Sequence, residues 1–154
     1  KDGLDGVHVH MTNTSNLPVE SLEAEYPLVV EKYELVENSC GVGRQRGGMG
    51  LRRTIRSIDH VCHVFAHGSR RLSSPWGLFG GGPGGRYGIE VSDGVAPLVK
   101  GNGNLSDGQS ITIVTPGAGG YGPPSERSAE RVACDLREER LSENIAREAY
   151  GIVK

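Results

Sequence analysis

The pattern of apolar and polar residues over the first two thirds of the chain is that of short strands separated by turns, and one stretch alternates in the manner of a half-buried strand. This stretch, at 6–12, places Val7, Val9 and Met11 on one face and polar residues on the other. Further strand-like runs lie at 28–35, 51–58, 61–65 and 111–115. We therefore expect a β-rich body built from short strands.

From Ser125 onward, apolar residues recur at helical spacing. We predict one helix behind an N-cap at Ser125, and a second from Ser142 to a C-terminal stop at Gly151. The predicted buried positions of the two helices are Ala129, Val132, Ala133, Leu136, Ile145, Ala146 and Ala149. Together the elements predict an α+β, β-rich fold: a mixed or antiparallel sheet body with glycine-rich loops and a short C-terminal helical pair. We expect one domain over 1–154, which lacks an initiator Met and therefore begins inside a longer protein.

Glycine is concentrated in the loops, and two dense runs lie at 74–85 and 115–124. Both match the spacing of phosphate-binding glycine motifs. Neither is followed by the Lys-Ser/Thr pair, or by the directly opening helix, that nucleotide binding requires. We expect instead that the two loops pack together, with aromatic rings as anchors beside the bare backbone. Two independent surface turns are the alternative. The structural residues of these loops are Trp76, Gly80, Gly81, Gly119, Gly120 and Tyr121.

The amino-acid composition argues against several classes of protein, including nucleic-acid-binding, membrane-spanning and disulfide-rich proteins. Only 36% of the residues are hydrophobic and 5% aromatic, so the core is thin for 154 residues. A formal net charge of −2 gives no basis for binding nucleic acid or an anionic membrane, and no apolar run is long enough for a membrane span. Cys40, Cys62 and Cys134 lack the spacing of a disulfide scaffold or zinc knuckle, which favours reduced thiols in a cytoplasmic protein.

Two groups of histidines are candidates for metal binding. His60, His63 and His67 do not share one face of a strand, so we interpret them as surface residues. His8 and His10 do share a strand face and are weak candidate ligands, because two imidazoles need a third ligand to complete a site. A polar outer strand face is the alternative interpretation of this pair.

A series of motifs runs through the chain in a defined order. It comprises HVHMTNT at 8–14, NLPVESLE at 16–23, EYPL at 25–28, GVGRQRGGMG at 41–50, PWGLFGG at 75–81, TPGAGGYG at 115–122 and AREAYGIV at 146–153. In this order the series resembles the hydantoinase B/oxoprolinase family over nearly the whole chain. The resemblance implies a subunit of an ATP-dependent enzyme that opens cyclic amides such as hydantoins and 5-oxoproline. Relatives in that family are large subunits of acetone- and acetophenone-type carboxylases.

The resemblance also implies partners and cofactors. A separate hydantoinase A-like subunit or domain would bind ATP and phosphorylate the substrate oxygen, so no cofactor is expected within this segment. The chain resembles the C-terminal portion of a longer B-type polypeptide. Any divalent metal would be bound by the upstream part of that polypeptide, and we expect the complex to be an oligomer.

The candidate site within the segment is the polar loop after the first predicted strand. Its residues are His10, Asn13, Glu20 and Glu23. The amide of Asn13 can hydrogen-bond a cyclic amide, and the two glutamates can accept a proton or orient water. In the scaffold alternative, the asparagine caps a turn and the glutamates are solvated on a short helical turn.

Three functional hypotheses are open at this point. The leading one is an ATP-dependent cyclic amidohydrolase, in which phosphorylation activates the amide oxygen and the B side supplies water activation in a closed pocket. The second is an ATP-dependent ketone carboxylase. The third is a structural and assembly module without a catalytic residue, which would expose apolar surface when isolated.

Overall fold

The computed structural model describes residues 1–7, 14–96, 98 and 101–152. Its helices are α1 (Val19–Glu25), α2 (Ala129–Arg137) and α3 (Glu143–Tyr150), with a 3-10 turn at Pro124–Glu126. Its strands are β1 (Leu28–Leu35), β2 (Leu51–Ser57), β3 (Cys62–Phe65), β4 (Gly88–Val91), β5 (Asn102–Leu105) and β6 (Ser110–Val114). No helix in these ranges has the length and apolar character needed to cross a bilayer.

The main sheet has four antiparallel strands in the order β1-β2-β6-β4, and β3 and β5 form a separate antiparallel pair. The register sets Ile55 opposite Ile111 and Ile89 opposite Ile113, so these side chains share one face of the sheet. Leu105 of β5 is 1% exposed and packs with them in one apolar core. This sheet-dominated α+β arrangement confirms the predicted fold class.

Strand positions follow the hydrophobic pattern. The run at 28–35 is β1, and the runs at 51–58, 61–65 and 111–115 correspond to β2, β3 and β6 with ends that differ by one residue. In contrast, β5 has no alternating pattern, since Leu105 is its only large apolar residue. Most of the first predicted strand falls on residues 8–13, which lie outside the described residues.

The C-terminal helical pair is present, with one correction. As predicted, α3 begins after Ser142, whose hydroxyl accepts a hydrogen bond from a main-chain N–H, and it ends at Gly151 with φ of 67°. The prediction for α2 was wrong at its start, because Ser125 lies in the 3-10 turn and the helix begins after Ser128. Its buried residues are Val132 and Asp135, whereas Ala129 and Ala133 are exposed.

Candidate functional site

The three glycine-rich segments at 40–50, 75–85 and 115–122 pack main chain to main chain, and we call this assembly the glycine core. The Gly41 N–H donates to the Ala118 carbonyl at 2.8 Å, and the Gly82 N–H donates to the Val42 carbonyl at 2.7 Å. The Gly120 N–H donates to the Gly82 carbonyl at 2.9 Å. These N–H groups are therefore occupied by protein carbonyls, and they do not form a phosphate cradle.

Close approach explains why these positions are glycine. A Cβ at Gly81 would overlap the carbonyl of Gly120, and a Cβ at Gly117 would overlap the carbonyl of Ser39. The two dense glycine runs thus lie in direct contact, as expected from the sequence, and not as independent surface turns. The contact is made by the main chain.

The prediction that aromatic rings anchor the contact between the two loops was wrong. The Trp76 side chain is 66% exposed, with the Arg70 guanidinium 4.9 Å from its ring centroid. Tyr121 is 43% exposed. What lies against Gly119 is the Trp76 carbonyl, so Trp76 contributes its backbone to the loop contact. Removing this exposed ring should therefore cost little stability. Gly80 has φ of 91° and lies in a turn of the first loop, where the Gly81 N–H donates to the Leu78 carbonyl at 3.0 Å.

Residues 1–7 lie across the glycine core with a bend at Asp5 and Gly6, and we call this segment the strap. The Gly3 N–H donates to the Arg46 carbonyl at 2.8 Å, and a Cβ at Gly48 would overlap the Leu4 carbonyl. Asp2 accepts a hydrogen bond from the Arg46 N–H at 2.9 Å, and Asp5 accepts one from the Met49 N–H at 2.8 Å. Carboxylates thus fix the strap to the segment beneath it.

A buried ion cluster lies where the strap, the glycine core and α2 meet. Asp135 of α2 bonds Arg46 through Oδ1 at 3.1 Å and Arg127 through Oδ2 at 2.6 Å. Asp135, Arg46 and Arg127 are 4%, 6% and 7% exposed. Charges buried to this extent are stable only when they are paired. This cluster therefore ties α2 to the glycine core.

The strap carboxylates complete the cluster. Asp2 bonds Arg127 at 2.8 Å, and Asp5 bonds Arg46 at 3.1 Å and also pairs with Arg140. The negative charges of three carboxylates are thereby matched by the positive charges of three guanidinium groups.

The cluster shifts the pKa values of its members. Burial alone would raise the pKa of Asp2, but the hydrogen bonds and charge of Arg127 outweigh it and the net pKa is lowered. Burial would also raise the pKa of Asp5, but its hydrogen bonds with the Met49 N–H and with Arg46 outweigh this effect, and the net pKa is lowered. Burial would lower the pKa of Arg127, yet its bonds to the carboxylates raise it. All three groups stay charged at neutral pH.

An open cleft of about 570 Å³ lies beside the strap, and we call it the strap cleft. Its wall is formed by Leu4, Gly6, Val7, Gly48, Met49, Leu51, His67, Gly68, Ser69, Arg70, Tyr87, Thr115, Pro116 and Ala118. The wall is largely apolar with a few polar groups, and the volume is in the range of sites for small ligands, about 300–1,000 Å³.

Tyr87 is the polar group of this cleft with the clearest chemistry. Gly68 lies flat against its ring, where any Cβ would overlap the ring atoms, and the residue is 9% exposed. Burial raises the pKa of Tyr87 against a smaller opposing effect of Arg71, so the hydroxyl keeps its proton. The hydroxyl has no hydrogen-bond partner among the described residues. It is therefore available to donate to a carbonyl in the cleft.

Of the four residues of the site predicted from the sequence, Glu20 and Glu23 lie among the described residues. His8, His10 and Asn13 lie outside the described residues. Glu20 is exposed in the first turn of α1. Glu23 is also exposed, and its Oε1 accepts a hydrogen bond from the Val30 N–H at 2.8 Å, beside the bulge of β1. The described contacts of Glu23 are those of a scaffold residue.

The other histidines have separate partners. The ring of His60 contacts Ser57 Oγ at 3.0 Å, and that of His63 contacts Asn104 Oδ1 at 2.8 Å. His67 stacks on Phe65 with ring centroids 6.4 Å apart. Among the described residues, no three histidine, cysteine or acidic side chains converge in a way that could hold a metal ion.

The ion cluster and Tyr87 were not found by sequence reasoning. The burial of Asp135 could have been predicted from the sequence, since this residue lies three positions after Val132 and so shares the buried face of α2. Its partners come from segments far away in the sequence. No local pattern distinguishes Tyr87 from the other four tyrosines.

Two sequence comparisons with known proteins point to the same protein family. A sequence model described as hydantoinase B/oxoprolinase matches residues 1–124. The chain is 34% identical over 159 residues to a protein of Pseudomonas sp. (strain NS671) named as the B-type subunit of a D-/L-hydantoinase, with 99% of this chain and 26% of that protein covered.

Two solved structures share the fold. The ATP-dependent caprolactamase from Pseudomonas jessenii has a TM-score of 0.71 at 26% identity, over 89% of this chain and 25% of that one. A nucleotide-free acetone carboxylase has a TM-score of 0.80 over 99% of this chain and 25% of that one; its identity of 22% shows the fold alone. The chain thus spans about a quarter of the length of each of these three proteins.

Proposed function

The chain belongs to the hydantoinase B/oxoprolinase family, and on that premise we propose that it forms part of the B-type polypeptide of an ATP-dependent cyclic amidohydrolase. The observation that carries the proposal is the similarity to a hydantoinase polypeptide over 99% of the chain. The named activities of that relative and of the caprolactamase both concern ring amides.

Ring opening of an amide needs activation, because an amide carbonyl is a poor electrophile. We assign ATP binding to a hydantoinase A-like partner subunit, which would phosphorylate the amide oxygen. The occupied N–H groups of the glycine core support placing the nucleotide elsewhere. Any divalent metal would be bound in the upstream part of the B-type polypeptide. The three cysteines are free thiols, which fits an oligomeric complex of the cytoplasm.

Within this segment, the strap cleft is the proposed contact with substrate. Its apolar wall suits the hydrocarbon part of a small ring, and the Tyr87 hydroxyl can donate a hydrogen bond to the ring carbonyl. Because the pKa of Tyr87 is raised, this donor persists through the neutral and mildly alkaline range. The residue would act by binding and orienting the ring.

The reaction class is tested with the complete complex. Hydantoin, 5-oxoproline and caprolactam are supplied with and without ATP, and ring opening is followed together with ADP release; a parallel reaction supplies a ketone with bicarbonate and ATP. We expect ring opening that depends on ATP. Robust opening without ATP would refute the proposal, and carboxylation of a ketone with bicarbonate in place of ring opening would assign the carboxylase function.

The role of the strap cleft is tested by Tyr87→Phe in the same complex. The substitution removes one hydroxyl and keeps the ring against Gly68. Loss of one hydrogen bond, worth about 0.5–1.5 kcal/mol, should raise KM for the cyclic amide by roughly two- to tenfold with little change in kcat. Tyr26→Phe is the matched control, since Tyr26 is 52% exposed and lies outside the cleft. An unchanged KM would show that the Tyr87 hydroxyl does not bind the substrate and would refute the role proposed for it.

A further inference from the structure

Four large apolar side chains project from the glycine core into solvent, and we call them the aromatic patch. Trp76, Leu78, Phe79 and Tyr121 are 66%, 51%, 74% and 43% exposed. The main chains of Leu78 and Tyr121 form a β-bridge, and the rings of Phe79 and Tyr121 have centroids 5.1 Å apart. Leu78, Phe79 and Tyr121 are therefore neighbours on one surface, and Trp76 precedes them in the same loop.

The backbone holds these side chains outward. Phe79 has φ of 50°, a left-handed conformation that is unfavourable for a bulky residue. The Leu78 N–H donates to the Gly120 carbonyl at 2.9 Å, and the Gly122 N–H donates to the Leu78 carbonyl at 2.9 Å. A strained aromatic residue on a loop fixed at this many points is preorganised for contact.

Two arginines lie beside the rings of the patch, and only Arg70 lacks a carboxylate partner among the described residues. The Arg70 guanidinium lies 4.9 Å from the Trp76 ring centroid and has no carboxylate partner among the described residues. The Arg44 guanidinium lies 5.9 Å from the Tyr121 ring centroid and is paired with Glu126 at 3.0 Å. A complementary surface would have an apolar centre and a carboxylate placed to meet Arg70.

We propose that the aromatic patch is the interface with the rest of the B-type polypeptide, through a segment that carries apolar side chains and a carboxylate for Arg70. The hydantoinase relative and the caprolactamase are about four times as long as this chain, so a polypeptide of that length supplies further segments that can pack against it. Large exposed aromatic rings require lasting cover, and a neighbour on the same polypeptide supplies it at every protein concentration. This inference does not depend on which reaction the complex catalyses.

The interface is tested by photo-crosslinking in the full-length B-type polypeptide, with a benzophenone side chain at position 79. We expect the crosslink to map by mass spectrometry to the same polypeptide, at a segment rich in apolar residues and containing Asp or Glu. The matched control places the probe at Val61, which is 65% exposed and lies outside the patch. Crosslinks from position 79 to a partner subunit or to a second copy, or a yield no higher than at position 61, would overturn the proposal.

The charge requirement is tested by Arg70→Glu in the polypeptide that carries the probe. Reversing the charge next to a carboxylate should lower the crosslink yield about fivefold. Arg147→Glu is the control, since Arg147 is an exposed arginine on α3. An equal yield in wild type and Arg70→Glu would show that no carboxylate meets Arg70 and would refute the proposed partner chemistry. The free energy of unfolding of each variant is measured in parallel, so that misfolding is distinguished from loss of contact.

Discussion

Replacing Asp135 by Asn tests whether the buried ion cluster is essential to the fold. The substitution keeps the shape of the side chain but removes its charge, and it turns one acceptor oxygen into a donor that faces an arginine. Arg46 and Arg127 remain buried, with only Asp5 and Asp2 left to neutralise them. The cluster then carries three positive and two negative charges.

The expected loss follows from this geometry. Breaking a buried pair by removing one partner costs about 3–5 kcal/mol, because the remaining charge stays desolvated. Each arginine keeps one carboxylate, so we expect the lower end, about 3 kcal/mol. With a slope of about 1–3 kcal/mol per molar urea, the unfolding midpoint should fall by roughly 1–3 M.

The control is Glu34→Gln, which removes the partner of Arg52. That pair has a similar distance, 2.8 Å, but its side chains are 34% and 44% exposed. It should contribute about 0.2–1 kcal/mol, and this effect should vanish in about 1 M salt, whereas the Asp135→Asn effect should persist. A loss below about 1 kcal/mol for Asp135→Asn, or one abolished by salt, would refute the reasoning, since the cluster would then be solvated.

Three further changes probe other parts of the fold. Because the folded-state pKa values of Asp2 and Asp5 lie below the ordinary 3.8, their stabilisation is complete above about pH 4 and is lost as pH falls through the folded values. Urea midpoints measured from about pH 6 to pH 2 should decline accordingly, and a midpoint independent of pH would contradict this. Arg53→Met should raise the melting temperature, by an amount equivalent to about 1 kcal/mol, because Nε and Nη2 of this arginine are buried without an acceptor among the described residues. A lower melting temperature would show that the guanidinium stabilises the sheet. Gly81→Ala should cost about 1–3 kcal/mol in urea unfolding, since its Cβ would overlap main chain, whereas a Cβ at Gly88 would make only an ordinary contact with Val114 Cβ at 3.7 Å, and Gly88→Ala should change stability by less than about 1 kcal/mol. Equal effects of the two alanines would argue against backbone packing at Gly81.

The regular elements could be predicted because their signals are local. Short strand-like runs separated by turn residues identified β1, β2, β3 and β6, and a serine followed nine residues later by a glycine defined α3. The start of α2 was misplaced because Ser125 and Ser128 are both reasonable N-caps after the prolines, and only the 3-10 turn separates them.

The candidate site was harder to predict, since it depends on contacts between distant segments. The strap reaches Arg127 and Arg140 across more than a hundred residues, and neither partner has a local pattern that indicates the contact. Trp76 and Tyr121 were expected inside because aromatic rings usually fill the space beside glycine. Here neighbouring backbone fills that space, so the rings remain outside.

A core made of main chain has a calorimetric consequence. Exposing apolar surface raises the heat capacity of a protein on unfolding, while exposing peptide groups lowers it. When the glycine core unfolds, its main-chain carbonyl and N–H groups become hydrated, and few hydrocarbon groups are exposed to water. The heat-capacity change on unfolding should therefore fall below the usual value of about 12–15 cal/mol/K per residue. The curve of unfolding free energy against temperature would be correspondingly flat, so the free energy of unfolding would change little from cold to warm temperatures.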